Sequence, residues 1–300
     1  MDRKDNSVVS SAGDNAPAVS VIVPCYNDAK YVPDCLDSLL AQTFQNWEAI
    51  CINDGSSDNT LSVLKKYARC DQRIRVINQK NQGVCFARNR AIAVARGKYI
   101  YPLDADDKIA KTCLEELYNT ITTTDYVLVC TDGKLFGTKH GKWDLPKPTK
   151  WNMYNWHNAI HNSAMYPKKL WEKYGGYYEG LNHIGAEDFD FMLHFVDDGQ
   201  KFTRIAKPLF FYRVKAKKLS RNARAVNYGN TANHLEKERI ILERHPKMLA
   251  YEKLKKLKKI LMMLPRFIFC IKYKFDRKRC HHIRYVRVFR IPIYWWKVKE

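Results

Sequence analysis

Glycine-rich nucleotide fingerprints are missing from this sequence. Neither G-x-G-x-x-G nor G-x-x-x-x-G-K-[ST] occurs, which excludes a dinucleotide-binding turn and a P-loop. Paired cysteines are missing too. The nine cysteines, Cys25, Cys35, Cys51, Cys70, Cys85, Cys113, Cys130, Cys270 and Cys280, are scattered and odd in number, with no C-x-x-C pair. Neither a disulfide framework nor a zinc site is expected; these residues suit small buried positions in a protein of the reducing cytosol. No apolar run is long enough to cross a bilayer: the longest, Ile260 to Ile271, is broken by Pro265 and Arg266. Met1 to Ala16 is polar without an apolar core, so residues 1–17 are expected to be a loose tail rather than a secretory leader. Acidic residues are scarce, with 31 Asp and Glu against 52 Lys and Arg, a net charge of +21. From Tyr251 onward there are 16 basic and 3 acidic residues, so the last sixth of the chain carries 13 units of that excess. A local excess of this kind points to a polyanionic partner, either anionic lipid or nucleic acid.

What is present begins with alternating strand and helix patterns. Val19 to Val23 is a β-branched run closed by Pro24, suited to a buried parallel strand. Pro33 then sits where a first helical turn tolerates it, with Leu36, Leu39 and Leu40 on one face. The pattern predicts strands at Trp47–Ile52, Ile74–Ile77, Tyr99–Leu103 and Tyr126–Val129, and helices at Thr60–Ala68 and Val84–Ala95. Such alternation implies a mostly parallel sheet covered on both faces. Gly133 to Asn162 has weak periodicity and is expected to form loops over a site. Beyond it come a short helix from Pro167 to Tyr174, a helix opening near Glu187, and a strand pair at Phe202–Ile205 and Leu209–Tyr212. Past Asn230 the chain is expected to be helical and basic.

Ligands of open parallel sheets bind beyond the carboxyl ends of the strands. Three polar clusters follow predicted strands: Pro24-Cys25-Tyr26-Asn27-Asp28, Asn53-Asp54-Gly55-Ser56-Ser57-Asp58 and Asp104-Ala105-Asp106-Asp107. Each alone suits turn and helix-cap chemistry. Three at successive strand ends point to a shared crevice.

These clusters, together with Gly83 and Ala87-Arg88-Asn89-Arg90-Ala91-Ile92, stand in an order and spacing that resembles glycosyltransferase family 2. The resemblance is strong from Val19 to Asp107 and looser to about Arg221. It implies an α/β GT-A fold, Rossmann-like, with a mostly parallel central sheet and helices on both faces. It also implies a nucleotide-diphosphate sugar donor, with uracil as the family's usual base, and Mn²⁺ or Mg²⁺ as cofactor. Carried over by position, Pro24, Tyr26 and Asn27 line the nucleoside pocket and Asp54 accepts hydrogen bonds from the base. Arg88 lies near the base or the diphosphate, Asp104 near the ribose, and Asp106 is the direct metal ligand. Hard divalent cations prefer such oxygen ligands, and a metal on the diphosphate offsets charge as the sugar–phosphate bond breaks.

The acceptor half matches less fully. Lys173 to Leu181 resembles the turn before the family's catalytic helix, with Tyr178 where an aspartate is usual, and Gly185-Ala186-Glu187-Asp188-Phe189-Asp190 resembles its Glu-Asp motif. Asp188 is the expected general base, with Glu187 as competitor, and a helix N-terminus favours the ionised form a base needs. A capping carboxylate pair is the structural alternative. Single displacement with one base implies inversion. Pro208 to Arg213 resembles the family's closing Tyr-Arg element, and the absence of Q-x-x-R-W favours transfer of one hexosyl or N-acetylhexosaminyl unit over polymerisation. His157, His161 and His183 are candidates for shaping an acceptor pocket, and Trp151 and Trp156 for stacking on a sugar.

The expected organisation is a tail over 1–17, a GT-A domain over 18–225 divided into nucleotide (18–107) and acceptor (108–225) halves, and a basic, largely helical extension over 226–300. That extension interleaves cations with aromatics, ending on Trp295-Trp296-Lys297, a composition suited to the membrane interface. A solvated helical face is the alternative. The function expected is transfer of a sugar to a lipid-linked, lipopolysaccharide or capsular glycan acceptor, in the cytoplasm at the inner membrane face. The competing classes are a nucleic-acid-binding protein, for which no recognised module is present, and a catalytically silent sugar-nucleotide binder.

Overall fold

The computed structural model describes residues 16–216, 231–263, 269–276, 281–288 and 291–297, with burial and side-chain contacts followed over 16–216 and 234–259. The tail expected before residue 16 lies outside the described residues.

Four parallel strands form the frame: β1 (Val19–Cys25), β2 (Trp47–Asp54), β3 (Ile74–Gln79) and β4 (Tyr99–Pro102), ordered β3-β2-β1-β4. Every residue of β2 is buried, as is the Val21-Ile22-Val23 run of β1, which explains continuous apolar character in place of alternation. Each such Val or Ile contributes about 1.5–3 kcal/mol by leaving water. The helices α1 (Val32–Leu40), α2 (Thr60–Cys70) and α3 (Val84–Ala93) connect these strands. Pro33 lies in the first turn of α1, whose Cys35, Leu36 and Leu39 are buried. On α3, Ala87 and Ala91 are fully buried, and their small size lets the helix lie close against β1 and β2.

Beyond β4 the chain leaves this sheet. The strands β5 (Lys108–Ile109), β6 (Leu128–Gly137) and β7 (Gly141–Trp143) belong to a second one, with α4 (Cys113–Thr123) between β5 and β6. After α5 (Lys150–Tyr154), β8 (Tyr166–Pro167) returns to pair antiparallel with β4. Next come α6 (Lys168–Tyr174), α7 (Glu187–Asp197) and β9 (Phe202–Val214), which completes the second sheet in the order β5-β9-β6-β7.

Two expectations change here. The strand expected at Tyr126–Val129 does not extend the parallel sheet, because β8 already pairs with the free edge of β4. The expected pair Phe202–Ile205 and Leu209–Tyr212 is one continuous strand. Its register against β6 shifts around Asp132, opposite Pro208, and proline lacks the N–H that a regular ladder needs. The weakly patterned stretch is mixed: Gly133–Gly137 finishes β6, β7 and α5 follow, loops join them, and none of its residues lines the cavity at the strand ends. The Arg204 guanidinium pins these loops by donating to the carbonyls of Leu145, Pro146 and Ala159 and to Asp132.

Contacts divide the chain into two compact units, Met1–His245 and Pro246–Glu300. The helix α8 (Thr231–Arg244), which the sequence placed with the extension, belongs to the first. The second unit opens with α9 (Pro246–Met263) and continues as an antiparallel sheet of β10 (Phe269–Asp276), β11 (His281–Val288) and β12 (Ile291–Lys297). The extension expected to be largely helical is so over α8 and α9, and it also carries this sheet, which the sequence reading did not anticipate. Phe269, Ile271, Tyr273 and Phe275 recur at every second position, as do Ile283 and Tyr285, and aromatic or β-branched residues at that period form strands. Among the described residues no helix is long and apolar enough to cross a membrane.

Candidate active site

The register of β1 against β2 and β4 sets Cys25 beside Asn53 and Ile22 beside Pro102, so the three polar clusters emerge at one edge. A cavity of about 410 Å³ opens there. Of the residues carried over from the family pattern, Pro24, Tyr26, Asp54, Arg88, Asp104 and Asp106 line it, and Glu187 faces them from α7.

The Asp54 carboxylate is immobilised. It accepts from Gln79 Nε2 at 2.7 Å and from the backbone N–H groups of Gln82 at 2.9 Å and Gly83 at 2.8 Å. Gly83 has φ +90°, and a Cβ there would lie 2.1 Å from Asn182 Nδ2. Glycine thus permits Asn182, from the acceptor half, to cap α3 by accepting from Cys85 N–H at 3.2 Å. Asn27 is placed differently from its expected role. It does not line the cavity; with φ +56° its side-chain oxygen accepts from the N–H of Ser57 at 2.8 Å and ties the first loop to the second.

Arg88 joins the two halves. Its side chain is 3% exposed; Nη2 donates to Asp104 Oδ1 at 2.9 Å and Nη1 to Glu187 Oε1 at 2.7 Å. Burial opposes its charge, but those two carboxylates hold its pKa well above the ordinary value. Its Nε is buried without a hydrogen-bond partner.

Asp106 meets Lys215 Nζ at 2.6 Å, and the same nitrogen lies 3.4 Å from Asp28 Oδ1. Burial raises the pKa of Asp106; Lys215 draws it down, and the charges of Asp104 and Asp28 push it up again. Three carboxylates that repel one another around a cleft, with oxygen as the only donor element among them, fit a hard divalent cation. Asp107 is buried and raised well above its usual range by that burial and by Asp106; it accepts from Arg213 N–H at 2.7 Å and so anchors β9. Arg213 closes the edge by donating to the Asp106 carbonyl at 2.6 Å and pairing with Asp34.

On the acceptor side, α7 opens after Ala186, which adopts the left-handed conformation at φ +69°. Asp188 does not line the cavity as Glu187 does, but it lies within the same field. Burial first, then the Glu187 charge, raise its pKa to about 6, while Arg88 opposes them. Its Oδ1 accepts from Phe189 N–H at 2.8 Å. Glu187 is committed to Arg88, which leaves Asp188 as the carboxylate poised to exchange a proton near neutrality.

Of the other candidates, only His183 lines the cavity. His161 is a core residue: buried, stacked on Phe210 at 4.5 Å, bonded to the Thr131 carbonyl at 2.9 Å, and pushed down to about 4 by burial. Trp156 stacks on Phe189, Trp151 is an exposed residue of α5, and His157 is exposed outside the cavity. Tyr178, in the family's aspartate position, carries the Arg244 guanidinium 4.0 Å above its ring.

Sequence reasoning missed Lys215, Asn182 and the partnership of Arg88 with Glu187. Lys215 could have been flagged by its place two residues after the Tyr-Arg element. The Arg88 pair spans 99 positions and left no local signal. A further group was also missed: Asp190, His194 and His245 bring one ligand atom each within 4.8 Å of one another, a cluster able to hold a divalent ion. Arg244 spans it, donating to Asp190 Oδ1 at 2.8 Å and lying 3.2 Å from His194 Nε2. Both ring nitrogens of His245 meet carboxylates, Asp190 at 3.1 Å and Asp197 at 2.7 Å, which hold its pKa up against burial. These ion pairs fasten α8 to α7.

Comparison with known proteins agrees with this geometry. The chain is similar to EpsH of Bacillus subtilis, 31% identical over 215 residues that make up 66% of this chain and 61% of EpsH. It is 40% identical over 108 residues to glycosyltransferase GlyG of Streptococcus pneumoniae, covering 36% of each chain. This chain therefore spans less than two thirds of either relative. Among solved structures, TarS of S. aureus in complex with UDP superposes with a TM-score of 0.56 at 23% identity, over 66% of this chain and 61% of that one. At that identity the likeness establishes the fold. The model of Glycosyl transferase family 2 matches residues 20–175, more than half of the 300. With the same strand-end clusters inside the matched span, this chain belongs to glycosyl transferase family 2.

Proposed function

We propose that the protein is an inverting glycosyltransferase that moves one sugar from a nucleotide-diphosphate donor, UDP-linked by the family pattern, to a hydroxyl of a cell-envelope glycan or glycolipid acceptor. The observation that carries this reading is the single cleft in which Asp54, Arg88, Asp104 and Asp106 face Glu187, with Asp188 beside it. Pro24 and Tyr26 offer a flat wall for the base, with Asp54 held rigid beneath it. Asp106 would hold Mn²⁺ or Mg²⁺, which supplies charge neutralisation to the departing diphosphate. Asp188 accepts the proton of the acceptor hydroxyl as its oxygen bonds to the anomeric carbon. The bond from that carbon to the diphosphate oxygen breaks, and the nucleoside diphosphate leaves with the electron pair. One displacement of this kind inverts the anomeric centre.

Purified protein offered a panel of nucleotide sugars with Mn²⁺ should hydrolyse one donor selectively. Asp106→Ala should lower that turnover at least a hundredfold, the order of effect expected for lost charge stabilisation. Full turnover by the variant, or indifference to chelator, would remove the basis of this assignment.

The second unit suits attachment to an anionic membrane surface. On α9, Lys253, Lys255, Lys256, Lys258 and Lys259 are exposed along with Leu254 and Leu257. Each basic residue near anionic lipid contributes about 1 kcal/mol. The protein should co-sediment with phosphatidylglycerol vesicles and not with phosphatidylcholine vesicles, and changing these five lysines to glutamine should reduce the bound fraction severalfold. Equal binding to both lipids, or no effect of the five changes, is the contrary result.

A further inference from the structure

We propose that Lys215 is the built-in counter-ion of the acidic cleft, a positioning residue that gives up Asp106 to the divalent cation and transfers its charge to the donor diphosphate. This rests on the donor reading above. The side chain is 8% exposed, and its Nζ lies 2.6 Å from Asp106 Oδ2, 3.4 Å from Asp28 Oδ1 and 4.3 Å from the centre of the Tyr31 ring. It reaches this position from the end of β9, 187 residues away from Asp28 in sequence.

Among the described residues Arg88, Arg213 and Lys215 line the cleft; Arg213 is engaged by Asp34 and the Asp106 carbonyl, and the other two are of unlike character. Arg88 is locked between Asp104 and Glu187 by two hydrogen bonds, and its Nη1–Glu187 contact ties it to α7. A planar, permanently charged fork in such a clamp is fixed. Lys215 carries a compact charge on a flexible four-carbon stem, and its partner Asp106 remains 26% exposed towards the cleft. A divalent ion on Asp106 and an ammonium on the same carboxylate repel each other strongly where water is scarce. One of them must leave, and only the lysine has a stem that can swing while its charge stays in the cleft. A diphosphate arriving with the metal is the anion that receives it. Without metal, Lys215 sets a positive charge between Asp28 and Asp106; with metal and donor, it becomes a phosphate ligand.

The test measures Mn²⁺ binding to donor-free protein by the electron paramagnetic resonance signal of the free ion, then UDP binding by calorimetry at saturating Mn²⁺. In Lys215→Met, Mn²⁺ should bind about tenfold more tightly than in the wild type, because a competing charge has gone. UDP should bind about tenfold more weakly, because one phosphate contact has gone. Lys215→Arg keeps the charge and guards against loss of folding; its Mn²⁺ affinity should stay near the wild-type value. In an Asp106→Asn background the Lys215→Met gain should vanish. Mn²⁺ affinity unchanged or weakened in Lys215→Met, or a gain that persists without Asp106, overturns the counter-ion role. Tighter Mn²⁺ with undiminished UDP binding overturns the transfer to phosphate. Failure of the wild type to bind UDP would instead defeat the donor reading, and the metal titration would still decide whether Lys215 competes for Asp106.

Discussion

Replacing Arg88 by alanine is expected to destabilise the protein by about 3 kcal/mol and to lower turnover about a hundredfold. The stability loss follows from what is left behind. Glu187, 13% exposed, loses its partner in a site shielded from water, while Asp104, 36% exposed, recovers part of the loss through solvent. The catalytic loss follows because, among the described residues, Arg88 is what ties the loop after β4 to the start of α7 by paired charges, so its removal lets the two halves drift. A second consequence distinguishes this from simple unfolding. Arg88 is one of the charges that hold the Asp188 pKa down, so the variant's residual activity should need a higher pH than that of the wild type. Urea unfolding and a pH–rate profile measure both effects. Unchanged stability with an unshifted profile would show that Arg88 joins nothing.

Asp188→Asn is expected to lower sugar transfer on the order of a thousandfold with little effect on donor binding, because the proton acceptor is lost and the donor contacts are not. In the wild type, burial and Glu187 lift Asp188 to about 6, so the ionised base is present above that pH and is lost below it. Turnover should therefore fall tenfold per pH unit on the acid side of about 6, and this limb should be missing from the residual rate of the variant. Stability runs the other way. A carboxyl whose folded pKa exceeds its unfolded value binds more protons in the native state between the ordinary value of 3.8 and about 6. Its contribution is full below that window and fades as pH rises through it. An acid limb that survives in Asp188→Asn, or falls with Glu187→Gln instead, would transfer the role to Glu187.

The legible part of the site was the part built from short local signals. Asp54, Asp104 and Asp106 could be placed at one cleft because each stands at the end of an apolar strand, and a parallel sheet brings such endings to one edge. Asn27 sits in the same kind of cluster, yet the structure uses it to bind two loops together. Sequence position places a residue near an edge and cannot say which way its side chain turns. His161 is a similar case: its polar identity suggested a pocket, while its aromatic neighbours Trp143 and Phe210 arrive from β7 and β9, too distant in sequence to be read together.

The amino-acid order alone determined the parallel frame, since β-branched runs punctuated by polar turns have few other ways to bury themselves. It also determined the clustering of carboxylates at the strand ends. Only tertiary structure decided which cations neutralise them. Arg88 and Lys215 lie on different elements, and their partners Glu187 and Asp28 are 99 and 187 positions away. It likewise decided that Asp188 rises towards neutrality, because burial and the charge of adjacent groups act through space and leave no trace in residue spacing.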